Sequence, residues 1–173
     1  LVNYIKYQGV TLTSNGKAAA INIVRKHRLW EVFLVNTLNF KWDEVHEIAE
    51  ELEHIHSALL VERLDRFLGF PRQDPHGDPI PDENGNFQAQ PVIKLSKLGS
   101  GEKGIIVGVS EHSSSFLKYL EKIKLTLGIT VQIIDFTEFD GSVELLVEGK
   151  KLSISRDVAK HLLLKLNTDE PLI

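Results

Sequence analysis

Histidine and glutamate side chains recur at helical spacing in the segment VHEIAEELEH, which spans residues 45–54. His46, Glu50, Glu53 and His54 occupy positions i, i+4, i+7 and i+8, within about 100° of one another on an ideal helix. Nitrogen and oxygen donors without sulfur suit a divalent transition metal of borderline hardness. The spacing therefore predicts a metal-binding ridge along this helix.

An earlier helical segment carries a matching imidazole–carboxylate pair, His27 and Glu31, at i and i+4. Two helices joined by a short turn can bring such ridges face to face, so that three imidazoles and three carboxylates converge on one volume. Helix surfaces rich in acidic residues are also common where the side chains are simply solvated. The spacing alone does not distinguish a metal-binding face from a solvated one. His56 falls on another part of the helix and is interpreted as a surface or interface residue.

Two enzyme motifs come close to this pattern. His46 and Glu47 begin like the H-E-x-x-H zinc-protease motif, but Glu50 stands where the second histidine is required. Glu51 and His54 match the E-x-x-H element of di-iron carboxylate bundles, a fold that needs a second such element on four long helices. The di-iron enzyme remains a remote alternative, and the sequence predicts no enzyme.

The composition excludes several other classes of site. The 173 residues include no cysteine, which excludes a disulfide scaffold, a thiol nucleophile, a cysteine-type zinc site and an iron–sulfur cluster. No apolar run approaches the roughly 18 residues of a membrane span, so we expect a soluble, cytoplasmic protein without membrane contacts. A net charge of −4 argues against a basic surface that coats nucleic acid. The start at Leu1 and the absence of methionine indicate a piece of a longer protein.

The N-terminal half is predicted to be a hairpin followed by three helices. Residues 1–13 are rich in Val, Ile, Tyr and Thr and predict two strands with a turn at Gln8-Gly9, and a first helix begins near Gly16 with Ser14 or Asn15 as its cap. It breaks around residues 39–41. The second and third helices are predicted over Asp43–Ile55 and Ser57–Leu68.

The third helix has an apolar face formed by Leu60, Leu64 and Phe67. One short helix cannot bury such a face unaided, so either the first helix or a second copy of the chain covers it. We expect a homodimer with these three residues at the interface.

A change of pattern divides the chain. Residues 71–91 hold five of the six prolines and predict a linker between domains; within it His76 is expected to be solvated. Short strands separated by glycine-containing turns follow, with one helix-like insert, and they favour a small barrel or sandwich. The strands are predicted at Gly104–Val109, Thr130–Phe136, Val143–Glu148 and Lys151–Ile154, and the helix at Ser115–Leu125.

Three segments, IVRKHRLWEVFL (23–34), VHEIAEELEH (45–54) and DPHGDPIP (74–81), resemble the diphtheria-toxin-repressor family of metal-dependent transcriptional repressors. The resemblance implies an α+β protein: the β-hairpin remnant of a winged helix, a helical metal-binding and dimerisation domain, and a small Src-homology-3-like β-barrel. The domains would span residues 1–14, 15–70 and 92–173, with the linker at 71–91.

The resemblance also implies ligand roles. His27, Glu31 and His46 match the family's ancillary site, whereas Glu50, Glu53 and His54 match its primary, activating site. Some members pair the first-helix histidine with the later glutamates. The barrel domain of the family lends further ligands from the region before its helix, which leaves Glu111 and His112 as alternatives here.

The function implied is that of a dimeric repressor activated by Mn²⁺ or Fe²⁺, with Zn²⁺ bound adventitiously. Its operator DNA would be read by an N-terminal winged helix that is missing from this chain, apart from a weak contact expected from Lys6 on the wing. The alternative that is not an enzyme is a dimerisation module that binds metal without regulating DNA binding.

Overall fold

A computed structural model describes residues 1–5, 9–88 and 90–166, which form two compact units, residues 1–89 and 90–173. Lys6, the expected DNA contact, lies outside the described residues. No helix in the described part of the chain combines the length and the apolar character needed to cross a membrane.

The first unit opens with the predicted hairpin. Strands β1 (Val2–Ile5) and β2 (Gly9–Leu12) pair antiparallel, with Val2 opposite Leu12, and the backbone N–H of Thr13 donates to the carbonyl of Leu1. The described side chains of these two strands are exposed, Tyr4 by 71%. Two strands cannot bury a core of their own, which explains this exposure.

Helix α1 (Ser14–Asn36) is the longest element. Its cap is Thr13, which directly precedes the predicted candidates Ser14 and Asn15, and the Thr13 hydroxyl accepts a hydrogen bond from the backbone of Gly16. The chain leaves the helix through Asn39, whose positive φ of 59° fits the left-handed conformation that asparagine tolerates.

Helices α2 (Val45–Leu52) and α3 (Ala58–Phe67) are each shorter than predicted. Ser57 caps α3 by accepting from the backbone of Leu60, and Gly69 follows its end at φ 75°, as the sequence predicts. All three helices contribute to one apolar core, whose fully or nearly buried members are Leu29, Trp30, Val32, Leu34, Val45, Ala49, Leu64 and Ile80.

Of the three residues expected at the dimer interface, Leu64 lies instead in the core of its own chain. Its side chain is only 6% exposed and packs in the core of its own chain, because α1 covers this side of the short helix. Leu60 and Phe67 remain exposed, by 38% and 67%. Phe67 also contacts Phe33 of α1 edge to face, with ring centroids 6.2 Å apart.

The proline-rich segment is not an extended linker over its first half. Residues 71–82 fold back onto α1: Ile80 joins the core, and Asp74 and His76 are buried. The turn is built by the carboxylate of Asp74, which accepts hydrogen bonds from the backbones of His76 and Asp78, and by Gly77 at φ 89°. The prolines fix a tight turn here rather than a spacer.

The second unit is a six-stranded antiparallel sheet with two helices. Within the described residues the strand order is β3-β8-β4-β5-β6-β7, and the inward-facing side chains of the central strands form its core. The elements are β3 (Ile93–Lys94), a 3-10 turn (Leu95–Lys97), β4 (Lys103–Val109), α4 (Ser114–Lys122), β5 (Thr130–Phe136), β6 (Val143–Val147), β7 (Lys150–Ile154), α5 (Arg156–His161) and β8 (Leu162–Leu166).

Candidate metal centre

The C-terminal half of α1 presents His27 and Glu31 one turn apart toward α2. Nε2 of His27 lies 3.0 Å from Oε1 of Glu31, and the Glu31 side chain is only 2% exposed. The helical register that the sequence predicts therefore holds one imidazole and one carboxylate at a common point beneath the surface.

Two further side chains, one from α2 and one from its C-terminal cap, approach His27. Nδ1 of His46 lies 3.2 Å from Nε2 of His27 and 3.4 Å from Oε1 of Glu31. Glu53, at the C-terminal cap of α2, places Oε2 2.8 Å from Nδ1 of His27. His27 is therefore held from both sides, with Nδ1 toward Glu53 and Nε2 toward the volume it shares with Glu31 and His46.

A second group forms on the other side of Glu31. Nδ1 of His76 lies 3.5 Å from Oε2 of Glu31, and ligand atoms of Glu31, Asp74 and His76 all lie within 4.8 Å of one another. Nε2 of His76 donates to the backbone carbonyl of Trp42 at 2.8 Å, and the two rings stack.

The expectation of a solvated His76 is wrong, since its side chain is 1% exposed. Proline and glycine around it indicated a loop, and loops are usually solvated. The available signal was that Asp74 and His76 belong to one of the three segments that carry the family resemblance.

Burial and ion pairing set the charges at the centre. Burial alone would raise the pKa of Glu31, but hydrogen bonds with His27 and His76 outweigh it, and the pKa is lowered. Burial opposes the charged imidazoles, yet contact with Glu31 raises the pKa of both histidines above 6.5. Burial, followed by the nearby charge of Glu31, raises the pKa of Asp74 to about 7. Such pKa shifts are typical of a site where carboxylates and imidazoles lie close together away from solvent.

The donor set fits a divalent cation. Neighbouring ligands in an octahedral shell with bonds of about 2.1 Å lie about 3 Å apart. The three atoms of His27, Glu31 and His46 are separated by 3.0, 3.2 and 3.4 Å. Imidazole and carboxylate donors suit Mn²⁺, Fe²⁺ or Zn²⁺.

Two family models match the two units. Residues 13–82 match "Iron dependent repressor, metal binding and dimerisation domain", and residues 93–166 match "FeoA domain". A solved structure described as a manganese-dependent transcriptional repressor in complex with manganese superimposes with a TM-score of 0.88 at 36% identity, covering 96% of this chain and 78% of that chain. The chain belongs to the diphtheria-toxin-repressor family. The resemblance inferred from the three segments is confirmed, and so is the fold class of hairpin, helical domain and antiparallel sheet.

Two curated relatives match parts of the chain, and one of them is a repressor. The iron-dependent repressor IdeR of Mycobacterium leprae (strain TN) is 32% identical over 124 residues, 66% of this chain and 54% of that protein. A probable metal transport system membrane protein of Chlamydia trachomatis serovar D is 46% identical over 71 residues, 41% of this chain and 16% of that protein. The chain thus spans about half the length of the IdeR proteins it matches. The family is one of transcriptional repressors rather than enzymes.

The other residues predicted from the family pattern lie outside the two groups. Glu50 and His54 are exposed on and after α2, and neither joins the groups found among the described residues. In the second unit, Glu111 accepts a hydrogen bond from the backbone of Ser113 at 2.9 Å, and Nε2 of His112 contacts the carbonyl of Val109 at 3.2 Å.

Proposed function

We propose that this chain is the metal-sensing and dimerisation part of a repressor that binds operator DNA in the cytoplasm when Mn²⁺ or Fe²⁺ is present. The observation that carries the proposal is the convergence of His27, Glu31 and His46, on two different helices, with ligand atoms no more than 3.4 Å apart. That the bound metal controls DNA binding is inferred from the repressor family to which the chain belongs.

The regulatory logic follows from the placement of the ligands. A bound cation links α1 to α2 by drawing donor atoms from both into one coordination shell. A cation shifts a conformational equilibrium only if it binds one state better than the other. His27 and Glu31 come from one helix and His46 from another, so the full donor set exists only in the packed arrangement.

We propose that two copies of the chain pair through the exposed face of α3. Leu60 and Phe67 are exposed apolar side chains there, and the matching family model describes a dimerisation domain. A dimer would place two DNA-reading winged helices at the spacing of operator half-sites. In this proposal the hairpin of residues 1–13 is the wing, and Lys6 on it is a weak DNA contact.

Glu50, Glu53 and His54 are proposed as the activating set in the longer protein, as the resemblance implies. Glu53 already lies 2.8 Å from His27, and the exposed Glu50 and His54 are accessible to a ligand from another segment. Either Glu111 or His112 is proposed to complete the ancillary set from the second unit.

The metal is proposed to be Mn²⁺ or Fe²⁺, because both accept five or six nitrogen and oxygen donors without sulfur. Zn²⁺ binds such donors more tightly by the Irving–Williams order, so purified protein would carry it adventitiously. The preference for Mn²⁺ or Fe²⁺ would then be seen in which metal activates DNA binding, rather than in which metal the protein binds most tightly.

The test is fluorescence anisotropy of labelled operator DNA with the full-length protein that contains this chain. We expect tight binding with Mn²⁺ and at least about 10-fold weaker binding with EDTA or for Glu31→Gln. Glu62→Gln is the matched control, since Glu62 is an exposed glutamate whose ion pair, in the part of the chain that the structure describes, is with the exposed Arg66. If the protein binds Mn²⁺ but binds DNA equally well with and without metal, the result would instead favour the alternative of a dimerisation module without metal regulation.

A further inference from the structure

Two arginines on α1, three residues apart, hold the two ends of a short segment, the strap, which runs from Pro79 to Pro81. The carbonyl of Pro79 accepts a hydrogen bond from Nη1 of Arg28, and the carbonyl of the second proline accepts one from Nη1 of Arg25. Ile80, between the two prolines, is 6% exposed and belongs to the core of the first unit. Proline has no backbone N–H, so its carbonyl is the backbone group that each end of the strap can offer to α1.

Arg25 also contacts a third element, the helix α3. Its Nη2 lies 2.5 Å from Oδ2 of Asp65, and the two side chains are 12% and 11% exposed. Asp65 lies on the same helix as Leu60 and Phe67, the exposed apolar residues of the proposed dimer face. One largely buried guanidinium therefore joins α1, the strap and the helix that carries the dimer face.

Building on the proposed function, we propose that Arg25 is a positioning residue that couples the metal centre to the dimer face of α3. While the strap is docked on α1, the carbonyl of Pro81 fixes the guanidinium in the orientation in which it also binds Asp65, and this pair holds α3 against α1. When the strap leaves α1, the guanidinium loses one of its two acceptors and α3 loses a fixed contact. A charge-assisted hydrogen bond of this kind supplies both energy and a defined geometry, which suits it to transmit the position of the strap.

The strap is connected to the metal centre through Glu31. Oε1 of this carboxylate faces the proposed ligands His27 and His46, whereas Oε2 lies 3.5 Å from Nδ1 of His76. His76 is 1% exposed and lies three residues before the strap. A cation that fixes the Glu31 carboxylate therefore stabilises the docked strap, and the docked strap favours the orientation of Glu31 in which the cation binds.

Such coupling is reciprocal by thermodynamic linkage. If Mn²⁺ strengthens the pairing of two chains by some factor, pairing strengthens the binding of Mn²⁺ by the same factor. Arg25 belongs neither to the proposed ligands nor to the proposed interface residues, so its replacement should remove the coupling while each chain still binds Mn²⁺ and still dimerises. A salt bridge with a purely structural role would change stability but would leave the coupling factor as it is.

The test measures dimerisation of the purified 173-residue chain by sedimentation equilibrium in Mn²⁺ and in EDTA. We expect Mn²⁺ to lower the dimer dissociation constant of the wild type by at least about 5-fold and that of Arg25→Gln by less than about 2-fold. Asp65→Ala should lose the coupling in the same way, and the double variant should lose no more than either single variant. Arg66→Gln is the matched control on the same helix, because its pair with Glu62 is largely exposed, and it should keep the full coupling.

Circular dichroism confirms that each variant is folded. The double variant Arg25→Gln with Asp65→Ala leaves neither charge of the pair without its partner, so it provides the same test if a single variant fails to fold.

Calorimetric titration with Mn²⁺ checks the reciprocal effect. The Mn²⁺ affinity of the wild type should be higher at chain concentrations above the dimer dissociation constant than below it, whereas the affinity of Arg25→Gln should not depend on chain concentration. Arg25→Gln with the coupling of the wild type would overturn the proposal, and so would wild-type dimerisation that does not respond to Mn²⁺. Both of these results leave the proposed function intact, since its test is metal-dependent binding of operator DNA, whereas a wild type that binds no Mn²⁺ would contradict both proposals.

Discussion

Arg28 and Asp78 lie 50 residues apart in the chain, yet Nη2 of the guanidinium donates to the carboxylate at 2.9 Å. The same guanidinium donates to the carbonyl of Pro79, and its Nε faces Asp74 at 3.5 Å. One side chain of α1 thus holds both ends of the turn that carries His76. Arg28 does not itself offer a ligand atom, and its effect on the metal centre is to position the turn.

Replacing Arg28 by Gln should loosen this turn. The hydrogen bonds lost involve a charged donor, and the side chains of Arg28 and Asp78 are 19% and 28% exposed, so we expect the free energy of unfolding of the first unit to fall by about 1–3 kcal/mol. Urea denaturation followed by tryptophan fluorescence measures this unit alone, since both tryptophans, Trp30 and Trp42, belong to it. Arg66→Gln is the control, because its pair with Glu62 is largely exposed and should contribute little. Equal effects of the two variants would contradict the positioning role of Arg28.

Replacing Phe67 by Glu should convert the expected dimer to a monomer. Phe67 is 67% exposed in one chain, and a charge at a desolvated interface is unfavourable. Light scattering at tens of micromolar should show the halved mass, and calorimetry should show the same Mn²⁺ stoichiometry as the wild type. Phe139→Glu is a matched control in the second unit, where this phenylalanine is 98% exposed. If Phe67→Glu stays dimeric, the dimer interface does not lie on this face of α3.

Local pattern was sufficient for much of the fold. The hairpin, the three helices and the four strands predicted by periodicity are all present, and Thr130–Phe136 has the predicted bounds. The elements not predicted are short: α5 has six residues and β3 has two, fewer than a periodic pattern needs. Strand β8, with the sequence LLLKL, is an apolar run too short to be distinguished from a buried helix segment.

Tertiary contacts explain what the pattern missed in the site. Helical spacing predicted that His27, Glu31 and His46 could meet, and the structure brings them together. The burial of His76 depends on Arg28 and Trp42, residues 48 and 34 positions away, whose contacts no local pattern contains. The sequence left the first helix and a second copy of the chain as alternative covers for the apolar face of α3, and only the packing of α1 against α3 places Leu64 in the core of its own chain.

The stability of the metal-free first unit should decrease as the pH rises from about 6 to 8. The pKa values of His27 and His76 are raised in the folded state, so their stabilisation is complete below about 6.5 and is lost above it. The raised pKa of Asp74, about 7, acts in the same direction, whereas the lowered pKa of Glu31 contributes stability that is lost only in acid. We expect a loss of about 1–3 kcal/mol in urea denaturation with EDTA present.

Saturating Mn²⁺ at pH 8 should restore this stability, because the cation replaces the protons on these ligands. His76→Gln should flatten the pH profile of the metal-free chain, since one of the titrating groups is gone. A stability that rises between pH 6 and 8 without metal would show that the histidines are not paired with Glu31 in solution.

Glu53 can act on the metal through His27, and two substitutions distinguish this role from direct ligation. Oε2 of Glu53 accepts from Nδ1 of His27 at 2.8 Å, so Glu53→Ala removes the acceptor that orients the ring, whereas the amide oxygen of Glu53→Gln can still accept. In calorimetric titrations of this chain we expect Glu53→Ala to weaken Mn²⁺ binding by about 10–100-fold and Glu53→Gln by much less. If both variants lose affinity equally, the carboxylate itself contacts the ion. Glu50→Gln provides the comparison on the same helix: Glu50 is exposed and outside both ligand groups, so its replacement should leave the affinity of this chain unchanged.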